Sequence, residues 1–318
     1  MAPTSTAARD FIWPALPLAR WRDTCETLHL WTQVVGKARL VQTPWLNHAW
    51  HVTLYVSARG LTTGPVPHGN DVFELELDLI SHQLVARTSQ GGRREFALDA
   101  MSVAAFHVQV TATLAELGTP VEIPGGPNEM ETAVPFDQDQ APRVYDRDYA
   151  HRYWRVLLQA DRLFKQYRTS FLGKSSPSHL FWGGFDLAIT RFSGRKAPKH
   201  AVGFPHMPDA VVLDAYSHEV MSVGFWPGGG PVDDAAFYAY AYPEPEGFRE
   251  AKIAAPAYYA TELGEWVLPY EKVLEADDPD AMVLEFLDSA YAAAADLAKW
   301  DRAALDCGPG QPRVIRPT

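Results

Sequence analysis

Only two cysteines occur in this chain, Cys25 and Cys307, close to opposite ends of its 318 residues. Such a pair is neither a disulfide framework nor a metal-ligand spacing, so both read as ordinary thiols of a reducing compartment. No apolar run approaches the roughly 20 residues needed to cross a membrane, and Met1 to Asp10 lacks the apolar core of a secretion signal. A soluble, cytoplasmic protein with no membrane partner is the expectation. Clustered positive charge is missing as well: 28 Lys and Arg stand against 39 Asp and Glu, a net charge of -11, with no basic run. A phosphate backbone would be repelled, which argues against nucleic acid as a partner.

Several reaction signatures are also absent. There is no Gly-x-Ser-x-Gly elbow and no His-x-x-x-His helix pair, and neither cysteine has the helix-start or basic setting that lowers a thiol pKa. Gly228-Gly229-Gly230 lacks the lysine of a phosphate-binding loop and opens no helix, so it reads as a flexible hairpin or lid. Covalent nucleophilic catalysis has no support.

What the chain does have is apolar and aromatic mass. Hydrophobic residues make up 47%, ample for a core, and 10 Trp with 13 Tyr are more than packing usually asks for. Trp and Tyr join a large apolar body to a hydrogen-bonding tip, which suits a pocket wall.

Spacing of the apolar residues sets out the elements. Leu18, Trp21, Cys25, Leu28, Trp31 and Val35 predict an amphipathic helix that closes at Gly36. A short strand over 38–42 and an alternating strand over 50–58 follow. Phe73, Leu75, Leu77 and Leu79 alternate with acidic residues, and two turns lead from there into 84–88 and 94–98, an antiparallel meander. Asp99 is the expected N-cap of a helix through Val110 to Leu117. A helix from Asp146 to Gly173 precedes strands over 176–195, 211–213, 219–226 and 236–242. A proline-broken segment, 243–269, then gives way to a final helix opened by Asp278-Pro279.

The fold class this predicts is α+β, antiparallel sheet flanked by helices. Its halves are 1–118 and 146–318, joined by 119–145 and packed as one unit. Both halves run helix, polar turn, long strand, further strands, helix, and Asn47-His48 and Ser178-His179 fall at corresponding points. An internal duplication of an α-β-β-β-α unit is the expectation.

The most informative stretch is Ser178-His179-Leu180-Phe181-Trp182-Gly183-Gly184-Phe185-Asp186-Leu187-Ala188-Ile189-Thr190-Arg191-Phe192-Ser193-Gly194-Arg195. A plain core strand needs none of these polar groups. Together with Tyr216-Ser217-His218-Glu219, Gly224-Phe225-Trp226-Pro227-Gly228 and Leu263-Gly264-Glu265-Trp266-Val267-Leu268-Pro269-Tyr270, it resembles a bacterial domain-of-unknown-function family, DUF5996. The resemblance covers nearly the whole chain. It implies no activity, so chemistry must come from the residues.

On strand alternation, Trp182, Gly184, Asp186, Ala188 and Thr190 share a face, as do His218, Ser222, Gly224 and Trp226, and Tyr238, Tyr240 and Tyr242. Set side by side, these faces form aromatic walls over a glycine floor, the composition of a small-molecule site. The leading expectation is an enzyme acting on a small organic metabolite, with an anion among the ligand classes considered. His218 is its proton-transfer group, since imidazole titrates near neutrality. Asp186 orients His218 or acts as a second base, and Tyr238 and Tyr240 donate to developing negative charge. Arg191 or Arg195 clamps an anionic end, or pairs with Glu244 or Glu246 instead; Trp182, Trp226 and His179 complete the lining. Two alternatives stay open: a sensor or carrier that binds without turnover, and a metal-dependent enzyme with His179, His218 and Glu219 as ligands to a transition metal. No organic cofactor is implied, and oligomeric state is not readable.

Overall fold

The first helix forms where the apolar spacing places it, but as α1 (Leu18–Leu40) it runs straight past the glycine expected to stop it. The computed structural model of the chain, which describes residues 11–229 and 232–316, shows why. Gly36 lies against the indole of Trp182, and a β-carbon at that position would collide with the ring. Glycine costs a helix interior about 1 kcal/mol relative to alanine; here the missing side chain lets an aromatic ring reach the helix backbone. The strand expected over 38–42 is therefore the last turn of α1 and the bend after it.

The meander forms an antiparallel sheet of β1 (Tyr55–Val56), β2 (Gly60–Thr62), β3 (Val66–His68), β4 (Asp71–Asp78), β5 (Gln83–Thr88) and β6 (Arg93–Ala97). Its order is β1-β2-β4-β5-β6, with β3 also on β4. Phe73, Leu75, Leu77 and Leu79 are fully buried, as their alternation requires. The long strand expected over 50–58 shrinks to β1, because Asn47–Ala49 form a 3-10 turn in which His48 and Ala49 take left-handed φ values of 60° and 57°. Helix α2 (Val103–Glu116) follows, capped by the Ser102 hydroxyl and not by Asp99.

The second half opens with α3 (Arg147–Arg168), whose N-cap Asp146 accepts from the amides of Asp148 and Tyr149. Its sheet contains β7 (His179–Phe181), β8 (Asp186–Lys196), β9 (His218–Trp226), β10 (Ala236–Tyr242), β11 (Tyr258–Ala260) and β12 (Glu265–Pro269). The order is β11-β12-β10-β9-β8-β7, antiparallel throughout. Helix α4 (Asp209–Ala215) lies between β8 and β9, and α5 (Tyr270–Glu275), α6 (Pro279–Leu297) and α7 (Arg302–Leu305) close the chain.

Three further expectations are corrected. The stretch read as one strand is a hairpin: Trp182 to Phe185 form its turn, with Phe185 at a left-handed φ of 57°. Residues 211–213 belong to α4 and not to a strand. The proline-broken segment supplies β11 and β12, short strands whose alternation is too brief to stand out. Met1 to Asp10 and Gly230 lie outside the described residues.

The fold is α+β. Each half runs helix, sheet, helix, but the two sheets differ in strand order. The halves join directly. Leu54 and Leu180 exchange backbone hydrogen bonds of 2.9 and 2.8 Å, and a single core of buried side chains extends from Trp13 to Trp300.

Candidate functional site

Backbone register brings the predicted faces of the second sheet together. Thr190 on β8 lies opposite Ser222 on β9, which lies opposite Tyr240 on β10. One row along stand Ala188, Gly224, Tyr238 and Val267. Alternation puts Asp186, Trp226 and Glu265 on the same face. The other face carries Leu187, Ile189, Val223, Phe225 and Phe237, all fully buried. Gly224 is a true floor position, since the Tyr238 phenol lies over its Cα and leaves no space for a β-carbon.

Above this floor is a cavity of about 720 Å³, within the range of small-molecule sites. Trp50, Phe181, Trp182, Glu129, Phe204 and Tyr216 also line it. Trp182 is fixed there by its indole N–H, which donates to the Val52 carbonyl at 2.8 Å.

Three carboxyl groups face the cavity. Asp186 accepts a short hydrogen bond at Oδ2 from the Tyr238 hydroxyl. Burial pushes the Asp186 carboxyl up to about 6, against the opposing pull of that hydrogen bond. Burial, and after it the charge on Asp186, pushes Glu129 up to about 7; the same two causes push Glu265 up to about 7. Glu129 and Asp186 approach each other over the glycine turn. A β-carbon on Gly184 would lie 2.9 Å from Asp186 Oδ1 and 3.8 Å from Glu129 Oε2, so both oxygens border the same small space. Glu265 acts on the phenols of Tyr216, Tyr238 and Tyr240, raising their pKa values further above what burial alone does. Tyr216 and Tyr240 hydroxyls are 3.0 Å apart, and the Thr190 and Ser222 hydroxyls 2.9 Å, so the polar floor is internally hydrogen-bonded.

Glu129 reaches the site through a clasp. The Gln33 side chain on α1 donates to the Asn128 carbonyl at 2.9 Å and accepts from the Asn128 amide at 2.8 Å. The Glu129 amide donates to the Pro205 carbonyl at 2.9 Å, and Glu129 itself takes a left-handed φ of 59°. A non-glycine residue pays for that conformation in strain. The residue as a whole keeps solvent exposure at the rim, while its carboxylate turns inward onto the Gly183 backbone. His29 secures the same turn, its Nε2 donating to the Gly183 carbonyl at 2.8 Å and its ring stacked on Phe185.

The far end of the cavity has a different character. His48 lines it, with Nδ1 donating to the Ala215 carbonyl at 3.1 Å, which leaves Nε2 to accept from Lys174 Nζ at 2.6 Å. Its amide donates to Asp214 Oδ2 at 2.7 Å, holding the left-handed backbone in place. Burial, then the Lys174 charge, lowers the His48 pKa.

The cavity takes in some of the predicted site residues and not others. Asp186, Tyr238, Tyr240, Trp182 and Trp226 line it. His218 does not: it pairs with Lys196 at the opposite end of β8 from Asp186, its Nδ1 3.0 Å from the Ser217 hydroxyl and its ring edge-on to His48. The expected His218–Asp186 couple does not form. Arg191 points to the other face of the sheet, where its guanidinium stacks on Tyr167 and Tyr291 and donates to the Tyr167 carbonyl and the Ser170 hydroxyl. Arg195 pairs with Glu219 at 2.7 Å and donates to the Ala298 carbonyl at the end of α6, so neither the anion clamp nor pairing with Glu244 or Glu246 is realised. Glu244 holds Arg249 instead.

His179 is enclosed by Trp50, Tyr55 and Phe181, with neither ring nitrogen hydrogen-bonded; burial, then the Arg39 charge, drives its pKa to about 3 and keeps it neutral. His179, His218 and Glu219 do not converge, and among the described residues no group of three or more His, Cys, Asp or Glu side chains is arranged to hold a metal ion.

Sequence reasoning missed Glu129 and Glu265. Glu265 alternates with Trp266 in a strand too short to notice, and Glu129 sits in an aperiodic connection that only the Gln33 clasp brings home.

An α+β fold with a large aromatic- and carboxyl-lined cavity thus defines the protein structurally. The chain belongs to the family of unknown function DUF5996, whose model matches residues 13–307. No curated protein and no solved structure matches it. Among the described residues, no helix is long and apolar enough to cross a membrane.

Proposed function

We propose that this protein is an enzyme that converts a small organic metabolite in the 720 Å³ cavity by general acid–base chemistry. The observation that carries the reading is the meeting of Asp186, hydrogen-bonded to Tyr238, with the Glu129 carboxylate over the Gly183-Gly184 turn. Proton transfer is most effective when donor and acceptor titrate near the working pH. Asp186 at about 6 and Glu129 at about 7 meet that condition, and the Tyr238 hydrogen bond favours the charged form of Asp186. Asp186 is accordingly the base, Glu129 the acid, and Tyr238 the group that orients Asp186 and supplies a phenolic hydrogen bond. Trp182 and Trp226 keep water from the reacting atoms.

Arg191 and Arg195 are engaged away from the cavity, so no arginine clamp supports an anionic substrate, and with His218 outside the lining its expected role falls to the carboxyl groups. Two free cysteines, Cys25 and Cys307, support a cytoplasmic setting.

The test is turnover of a metabolite extract by the full chain, followed by mass spectrometry. A compound consumed by the wild type and spared by Asp186→Asn, with Asp186→Asn still folded, is the expected result. Equal consumption by both would remove Asp186 from catalysis. Binding without any product would make the protein a carrier or sensor.

A further inference from the structure

Charge is distributed unevenly over the cavity. Lys174 contacts one end from outside the lining, its ammonium 5.1 and 4.8 Å from the ring centres of Trp50 and Phe192 and hydrogen-bonded to His48. At the other end stand Asp186, Glu129 and Glu265, and among the described residues no lysine or arginine forms an ion pair with any of them. Lys37, the lysine that lines the cavity, is occupied: its ammonium donates to the Gly126 carbonyl and lies 5.5 Å from the Phe136 ring centre.

Gathering carboxyl groups in a partly enclosed cavity without a counter-charge is costly, and proteins normally pair or ligate such groups. The walls beside them are aromatic: Trp226, Tyr238 and Tyr240, the last two stacked at 6.1 Å. Aromatic faces attract cations, more strongly when desolvated. Carboxylates and ring faces together are the chemistry that recognises an organic ammonium ion.

Resting on the reading of this cavity as the functional site, we propose that its ligand is an organic ammonium ion, whose charged nitrogen sits among Asp186, Glu129 and Glu265 against the Tyr238 and Trp226 rings. Tyr238 keeps one oxygen of Asp186 engaged and leaves Oδ1 for the ammonium. Glu265, which has the three surrounding phenols as neighbours, supplies a second contact.

Calorimetric titration of the full chain with 2-phenylethylamine, 2-phenylethanol and phenylacetate tests this, because the three share a ring and a chain and differ in charge. The amine is expected to bind at least about tenfold more tightly than the alcohol or the acid, and Glu265→Gln to weaken the amine about tenfold while leaving the alcohol unchanged. Equal affinities, preference for the alcohol or the acid, amine binding indifferent to Glu265→Gln, or binding by none of the three would overturn the ammonium assignment. Ala188→Trp, which fills the floor, separates this from failure of the site itself. Binding of any probe that is lost in Ala188→Trp keeps the cavity as the site, and binding that survives it overturns the reading on which the proposal rests.

Discussion

The Tyr238 hydroxyl donates to Oδ2 of Asp186 across the floor of the cavity, joining two strands that are not neighbours in the sheet. β8 and β10 flank β9, and the phenol can cross because the intervening residue is Gly224. The hydrogen bond favours the charged form of Asp186 and opposes the effect of burial. Removing it with Tyr238→Phe should raise the Asp186 pKa further above about 6 and cost about 1–2 kcal/mol of stability. Titration of the Asp186 carboxyl carbon by NMR reads the first effect directly; an unchanged or lowered pKa in the variant would show that the phenol does not control this group.

The three cavity carboxyls make stability depend on pH in a defined direction. Their folded values, about 6 for Asp186 and about 7 for Glu129 and Glu265, lie above the ordinary 3.8 and 4.5. Between those limits the folded chain holds protons that the unfolded chain has released, so their contribution is greatest at low pH and is lost as pH rises through the folded values. Asp186→Asn and Glu265→Gln remove the titration. Relative to wild type, each should gain more stability at about pH 8 than at about pH 5, by roughly 1–2 kcal/mol. The buried neutral imidazoles His29 and His179 titrate in the opposite sense and cancel in the comparison. Chemical denaturation at the two pH values is the measurement, and a gain that is the same at both would contradict the placement of these groups.

Helix propensity and packing make opposite predictions at Gly36. On propensity alone Gly36→Ala should stabilise α1 by about 1 kcal/mol. The added methyl group would meet the Trp182 indole, whose ring and N–H are fixed by the cavity wall and the Val52 carbonyl. Overpacking of this kind typically costs about 1–3 kcal/mol. A net loss of stability in urea denaturation is expected, with a change in Trp182 fluorescence; a more stable variant would mean that the helix and the indole do not touch.

Arg191 gives a clean separation of structure from function. It is 1% exposed, stacked between Tyr167 and Tyr291, and shares its region with Asp288, whose carboxyl feels its charge. Arg191→Met should destabilise the fold by about 2–4 kcal/mol, through lost stacking and unpaired acceptors, and leave ligand affinity of the folded fraction unchanged. Loss of affinity at full folding would restore Arg191 as an anion clamp.

How much was legible in the sequence follows from the reach of each signal. Strand alternation placed Asp186, Thr190, Ser222, Tyr238 and Tyr240 on their faces correctly, because side-chain direction along a strand is a local property. The glycines were informative for a less local reason: Gly224 and Gly36 mark where Tyr238 and Trp182 approach a backbone, but only the fold shows which ring comes. Gly36 was misread as a helix stop for that reason. Parity could not reveal that Trp182 to Phe185 is a turn, nor that His218 stands at the wrong end of β8 for Asp186. Arg191 was assigned by its chemistry, while its position on the strand, odd where Asp186 and Thr190 are even, already pointed it to the opposite face. Glu129 had no periodic context at all, since its place depends on Gln33, far away in sequence on α1.

The most direct measurement is native mass spectrometry of the wild type and the folded Ala188→Trp variant after exposure to a small-molecule metabolite extract. Ala188 is a buried floor residue beside Gly224, and an indole there occupies the space between the aromatic walls. The account predicts a small-molecule adduct on the wild type that is absent from the variant. An adduct retained equally by both, or none on the wild type, would contradict the claim that this cavity is where the protein acts.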